Sequence, residues 1–98
     1  MENPLGATPL VEAVTASAPS REKIALLLDA GANLHVRFDW KGHRDLNVLM
    51  AAAMNASPQV VQLLLDWGAY KYAKSGDGLT PYVRAALADR PDNAELLR

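Results

Sequence analysis

With 98 residues, half of them hydrophobic, the chain has material for one domain near the lower end of what folds alone. Aromatic residues make up only 6%, so the core must be aliphatic and alanine-rich. A net charge of −1 argues against a general nucleic-acid or membrane-surface binder, and the lack of cysteine excludes disulfides and thiolate metal sites.

In chain order, Thr8 is a candidate N-cap and Pro9 suits the first helical position, where its missing N–H costs nothing. A short helix to about residue 16 follows, with Leu10, Ala13 and Val14 on one face. Residues 17–20 break it, and a second helix is predicted over about 21–30. There Ile24, Leu27 and Leu28 recur at helical spacing, and Gly31 stands where a left-handed stop is needed. Asn47 opens a second pair of helices, with Leu49, Ala52 and Ala53 as the buried stripe of the first. Ser57 and Pro58 form a cap-plus-first-residue pair for the next, which carries Val60, Val61, Leu63, Leu64 and Leu65 and stops at Gly68. Thr80 and Pro81 start a fifth helix through Ala85, Ala86 and Leu87. The run Asp92-Asn-Ala-Glu95 reads as a capping box starting a sixth.

These elements repeat. Ile24-Ala-Leu-Leu-Leu-Asp-Ala-Gly-Ala-Asn33 and Val61-Gln-Leu-Leu-Leu-Asp-Trp-Gly-Ala-Tyr70 are nearly the same segment. Ala52 and Ala85 lie 33 residues apart, whereas Ala13 and Ala52 lie 39 apart. Part of the excess falls at 18–20 and the rest between Leu34 and Arg44.

The period, the Thr-Pro starts at Gly6-Ala-Thr-Pro-Leu10 and Asp77-Gly-Leu-Thr-Pro-Tyr82, and the Leu-triplet-to-Gly-Ala ends at 26–32 and 63–69 resemble the ankyrin repeat. That resemblance implies an all-α fold: an ankyrin-repeat solenoid of about three helix–turn–helix units with projecting hairpin or loop fingers, the first finger extended. It divides one domain, 1–98, into repeat one at about 6–38, repeat two at about 45–74 and a partial repeat three at about 77–98. Val11, Met50 and Val83 replace the family's His, and Asn47-Val48 replaces its second Thr-Pro.

What the resemblance implies for function is protein–protein binding by a non-catalytic adaptor, inhibitor or immunity-type regulator. It would bind through finger tips and the exposed side of the first helix of each unit. By position this marks Asp77 and Leu79 in the second finger, and Met54 and Asn55 on a helix. The long first finger adds Arg37, Phe38, Trp40, Lys41, His43 and Arg44. There Val36, Phe38 and Trp40 alternate with polar residues as in a strand, with Lys41-Gly42 near the turn. Trp and Arg are enriched in binding hot spots, although Phe38 and Trp40 could instead fold back as cover for the loop. The alternative reading is a terminal segment of a larger array, or a homodimer through incomplete end repeats.

Other chemistry finds little support. His35, Asp39, His43 and Asp45 are a weak metal reading, because a structural zinc needs four converging donors. Ser17, Ser20 and Ser57 punctuate helices with no base–orienter pair beside them, so no enzyme and no cofactor are expected. Tyr70-Lys-Tyr-Ala-Lys74 suggests base stacking, but two lysines in a near-neutral chain make no nucleic-acid site. Trp67 is expected to pack over a neighbouring second helix. The first residues lack a basic and an apolar region, and the longest apolar run is too short to span a membrane, so a cytoplasmic protein is expected.

Overall fold

The structure, a computed structural model, describes residues 8–98. It contains α1 (Pro9–Thr15), α2 (Arg21–Asp29), β1 (Phe38–Trp40), β2 (His43–Leu46), α3 (Val48–Asn55), α4 (Pro58–Asp66), α5 (Pro81–Leu87) and α6 (Pro91–Leu97). The expected start of the first unit, Gly6-Ala7, and the leader reading at the first residues lie outside the described part.

The starts follow from local chemistry. Thr8, Ser20, Asn47, Ser57 and Thr80 are extended, and each side-chain oxygen accepts the N–H three residues on. Proline occupies the first turn of α1, α4, α5 and α6. α6 departs from the capping-box expectation. It begins at Pro91, its cap Arg90 makes no side-chain capping bond to the helix, and Asp92 sits inside the first turn. Pro91 decides this, because its ring presets the helical φ one residue before the acid.

The stops explain the near-identical segments. After α2, Ala30 N–H donates to Leu26 O, Gly31 N–H to Leu28 O and Ala32 N–H to Leu27 O; Trp67, Gly68 and Ala69 repeat this on Leu63, Leu65 and Leu64 after α4. The pattern requires a left-handed residue, and both glycines sit at φ +95°. After α5 the same bonds form, Asp89 N–H to Ala86 O and Arg90 N–H to Ala85 O, but the left-handed position, φ +59°, is held by Asp89. A Cβ there is mildly strained. Asp89→Gly is therefore expected to stabilise the fold by about 0.5–1 kcal/mol, the left-handed penalty less the extra chain entropy of glycine. A urea melt checks it, and a lower midpoint would refute the strain.

α1 packs on α2 and α3, α3 on α4 and α5, α5 on α6, and α4 lies between α2 and α6. α3 is the centre, with Val48, Leu49, Met50, Ala51, Ala52 and Ala53 all buried. Its three alanines let α1 and α5 approach from either side. Val11 and Met50 are fully buried within this core, together with Leu10, Val14, Ile24, Val60, Val61, Leu64 and Leu97. Leu26, in the first Leu triplet, points outward and is 71% exposed.

The expected all-α solenoid is corrected in class and in shape, although a hairpin was itself expected in the long first finger. A two-stranded antiparallel sheet, β1–β2, stands between α2 and α3. The described residues also form a compact body of 30 × 25 × 22 Å, with a radius of gyration of 11.9 Å, rather than an extended superhelix. The physical reason is element length. Helices of 7–9 residues are only about 10–14 Å long. The six helices of the described residues, with α1, α4 and α5 packed directly on α3, close on one another before any long axis develops.

Candidate functional site

The hairpin is built by its turn. Lys41 and Gly42 both have positive φ, +53° and +80°, the pair of left-handed residues that a tight two-residue turn needs to match strand twist. Phe38 pairs with Leu46 and Trp40 with His43, so β2 carries one extra residue and bulges. Asp45 holds the bulge at φ +57°, its N–H donating to Asp39 Oδ1 at 3.0 Å.

The pairing decides which side of the hairpin faces in. Phe38 and Leu46 are buried and belong to the core. Phe38, expected as a contact residue, is 3% exposed and offers no surface to a partner. Its side shares the strand face that packs on the helices, and burying its ring outweighs leaving it in water. Trp40 is half-buried against the core, with Lys41 Nζ 4.8 Å from its ring centroid. Arg37, Asp39, Lys41, Arg44 and Asp45 face solvent.

Three links tie the hairpin to loop 74–79. Arg37 grips Asp45 with two bonds, Nε to Oδ1 and Nη2 to Oδ2, both 3.1 Å, and also donates to the Lys74 carbonyl. Gly76 N–H donates to the Arg44 carbonyl at 2.9 Å. The third link is Arg84. Its guanidinium is 3% exposed and donates to Asp77 Oδ1 at 2.7 Å, to Ser75 Oγ at 2.8 Å and to His43 Nδ1 at 2.8 Å. A guanidinium has no acceptor, so Nδ1 must take that hydrogen bond on its lone pair. Arg84 Nε finds no acceptor among the described residues. The single Ser75 hydroxyl hydrogen has Asp77 Oδ1 and Leu79 O within reach, and Ser75 N–H donates to Leu79 O.

The structure thus brings Arg37, Trp40, Lys41, His43, Arg44, Asp77 and Leu79 into one corner. Met54 and Asn55 lie apart, at the far end of α3 from the hairpin, about one helix length of 10 Å away. Asn55 is engaged structurally, its amide donating to Val14 O at 3.0 Å and Ala16 O at 2.7 Å to close the end of α1. Arg84 and Ser75 were not anticipated from the sequence. The available signal was Arg84 itself, one turn after Pro81 and next to Ala85 on the stripe that α5 buries.

The suggested metal cluster does not assemble as a site. His43 faces Arg84, Asp45 faces Arg37, and among the described residues no group of three or more His, Cys, Asp or Glu side chains could hold an ion. Trp67 is 46% exposed and lines a groove with Ala25, Leu26 and Asp29 of α2. Tyr70 and Tyr72 meet edge to face at 6.0 Å, both 59% exposed.

Electrostatics make the corner acid-sensitive. The Arg37 hydrogen bond, aided by its charge, holds Asp45 below the ordinary carboxyl value of 3.8 against an opposing desolvation. The Ser75 hydroxyl, with help from Arg84, does the same for Asp77. Depressed folded-state values mean that the stabilisation is full above the unfolded value and drains away as pH falls through the folded ones. The hairpin and loop 74–79 are expected to loosen below about pH 4, before the helices. Amide exchange read by NMR down the pH series checks this, and hairpin protection lost only together with that of α3 would contradict it.

The chain matches no model of a known protein family and no curated protein. No helix among the described residues is long and apolar enough to cross a membrane.

Proposed function

We propose that this chain is a non-catalytic, cytoplasmic protein-binding module whose contact surface is the hairpin Phe38–Leu46 together with loop 74–79. One observation carries the reading: an exposed, polar hairpin rim is braced from behind by Arg37, Gly76 and Arg84, so its backbone is ordered before any partner arrives. Preorganisation of this kind lowers the entropy lost on association. The sequence resemblance to ankyrin repeats, which implies protein binding, supports it. A catalytic role is less well served. The one imidazole in the corner has Nδ1 engaged by a cation, and Asp77 is engaged by the same cation.

The absence of cysteine makes the test direct. Lys41→Cys carrying a benzophenone crosslinker is expected to trap a host protein, while Lys23→Cys on α2 traps none. Equal labelling from both positions, or none from position 41, would refute a hairpin-centred interface.

A second reading has its own observation. The outer flank of α5 and α6 exposes Tyr82, 40% accessible, beside a groove of ≈ 400 Å³ that also involves Ala86, Ala94 and Arg98. A second copy, or a neighbouring segment of a longer protein, would cover this flank. Sedimentation over a concentration series distinguishes it, because a concentration-independent monomer excludes the homodimer.

A further inference from the structure

We infer that the hairpin corner selects an acidic protein segment. This rests on the hairpin reading above and concerns the chemistry of the partner. The three carboxylates of the corner are already engaged within the chain. Asp45 is gripped by Arg37, Asp77 is held by Arg84 and Ser75, and Asp39 accepts the Asp45 N–H. The outward cations are not. Lys41, Arg44 and Lys74 are exposed, and among the described residues none of them pairs with a carboxylate. The chain as a whole carries −1, so this corner is positive on an otherwise acidic protein. Complementary charge on a partner is what such a surface recognises and steers.

The backbone fixes where these charges are rooted. Lys41 rides on a left-handed turn residue, and Arg44 is placed by its carbonyl bond to Gly76, two residues from Lys74. Carboxylates on an extended segment therefore meet cations rooted on a braced backbone. A nucleic acid is less well matched. Three cations release few counterions, and Lys41 stands over the Trp40 ring that a base would need for stacking.

The test is an NMR titration of the full chain at low salt with a 20-residue poly-glutamate, and separately with a 20-nucleotide single-stranded DNA. Poly-glutamate is expected to shift amides of the hairpin and loop 74–79, with an affinity that falls as salt rises. The double reversal Lys41→Glu with Arg44→Glu is expected to weaken it by about ten-fold or more, whereas Arg21→Glu with Lys23→Glu on α2 changes it by less than about two-fold. The neutral pair Lys41→Gln with Arg44→Gln gives an intermediate loss and serves if the reversal disturbs folding. No poly-glutamate binding, an equal effect of the α2 pair, or tighter binding of the DNA would each overturn the inference. A poly-glutamate failure alongside a host protein crosslinked at position 41 would remove this inference and leave the proposed function standing. Failure of both would remove both.

Discussion

Arg84→Ala is expected to lower the unfolding free energy by about 2–3 kcal/mol and to free the hairpin from loop 74–79. The residue is almost wholly buried, and its guanidinium serves three acceptors on two separate segments: His43 on β2, and Ser75 and Asp77 on the loop. Removing a buried, hydrogen-bonded charge costs about 3–5 kcal/mol in a fully desolvated pair. Asp77 is half-exposed and regains water when the pair is broken, so the lower figure is expected here. Arg84→Lys is expected to rescue little, because an ammonium cannot reach three acceptors arranged round a planar fork. Arg84→Met keeps the packed stem and isolates the polar part. Urea unfolding gives the free energies, and hydrogen exchange at the His43, Arg44 and Gly76 amides reports the hairpin. A change within about 0.5 kcal/mol, the range of an ordinary surface substitution, would show that Arg84 does not brace this corner.

Asn93→Asp carries the second large effect. Asn93 is 1% exposed, and its amide nitrogen donates to Ala53 O at 3.1 Å and Ala56 O at 2.8 Å, where α3 ends. The isosteric acid replaces that double donor with an acceptor and places negative charge against two carbonyls. Burying an unpaired charge is among the most destabilising single changes, and a loss of about 3 kcal/mol or more is expected at neutral pH. The introduced carboxyl would have a raised folded-state pKa, so the penalty shrinks as pH falls and protonation restores a donor. Urea melts at pH 7 and pH 4, each referred to the parent chain, measure this. A penalty that does not shrink at the lower pH would show that charge is not its cause.

Both residues mark the boundary of what one-dimensional reading reaches. The caps at Thr8, Ser20, Asn47, Ser57 and Thr80 and the stops at Gly31 and Gly68 depend on contacts within a few residues. They are visible as residue types at fixed offsets. The hairpin was equally legible, in the alternation at 36–40 and the Lys41-Gly42 turn, because strand period and turn chemistry are local. Phe38 shows where this stops. Alternation places Phe38 and Trp40 on the same side of a strand but not which side is inward, and only the helices behind the hairpin settle it. Asn55 looked like an exposed position on α3, but α1 ends beside it and takes both of its amide hydrogens.

The recurring Leu-Leu-Leu-Asp-x-Gly-Ala segments determined where two helices end and why they are alike: the leucines supply carbonyls for the stop, and the glycine supplies the left-handed turn. Length, composition and these local signals set the number of helices and the place of the hairpin. Tertiary structure decided the rest. It closed the other five short helices of the described residues about α3 into a compact body rather than an extended solenoid. It also buried Arg84 and Asn93, polar residues whose partners lie partly or wholly in distant segments. Asn93 takes both acceptors, the Ala53 and Ala56 carbonyls, from at least 37 residues away, and Arg84 joins its nearer acceptors Ser75 and Asp77 to His43, 41 residues back. A side chain that meets partners that distant in sequence takes its role from the packing, since no fixed sequence offset leads to the acceptor it will meet.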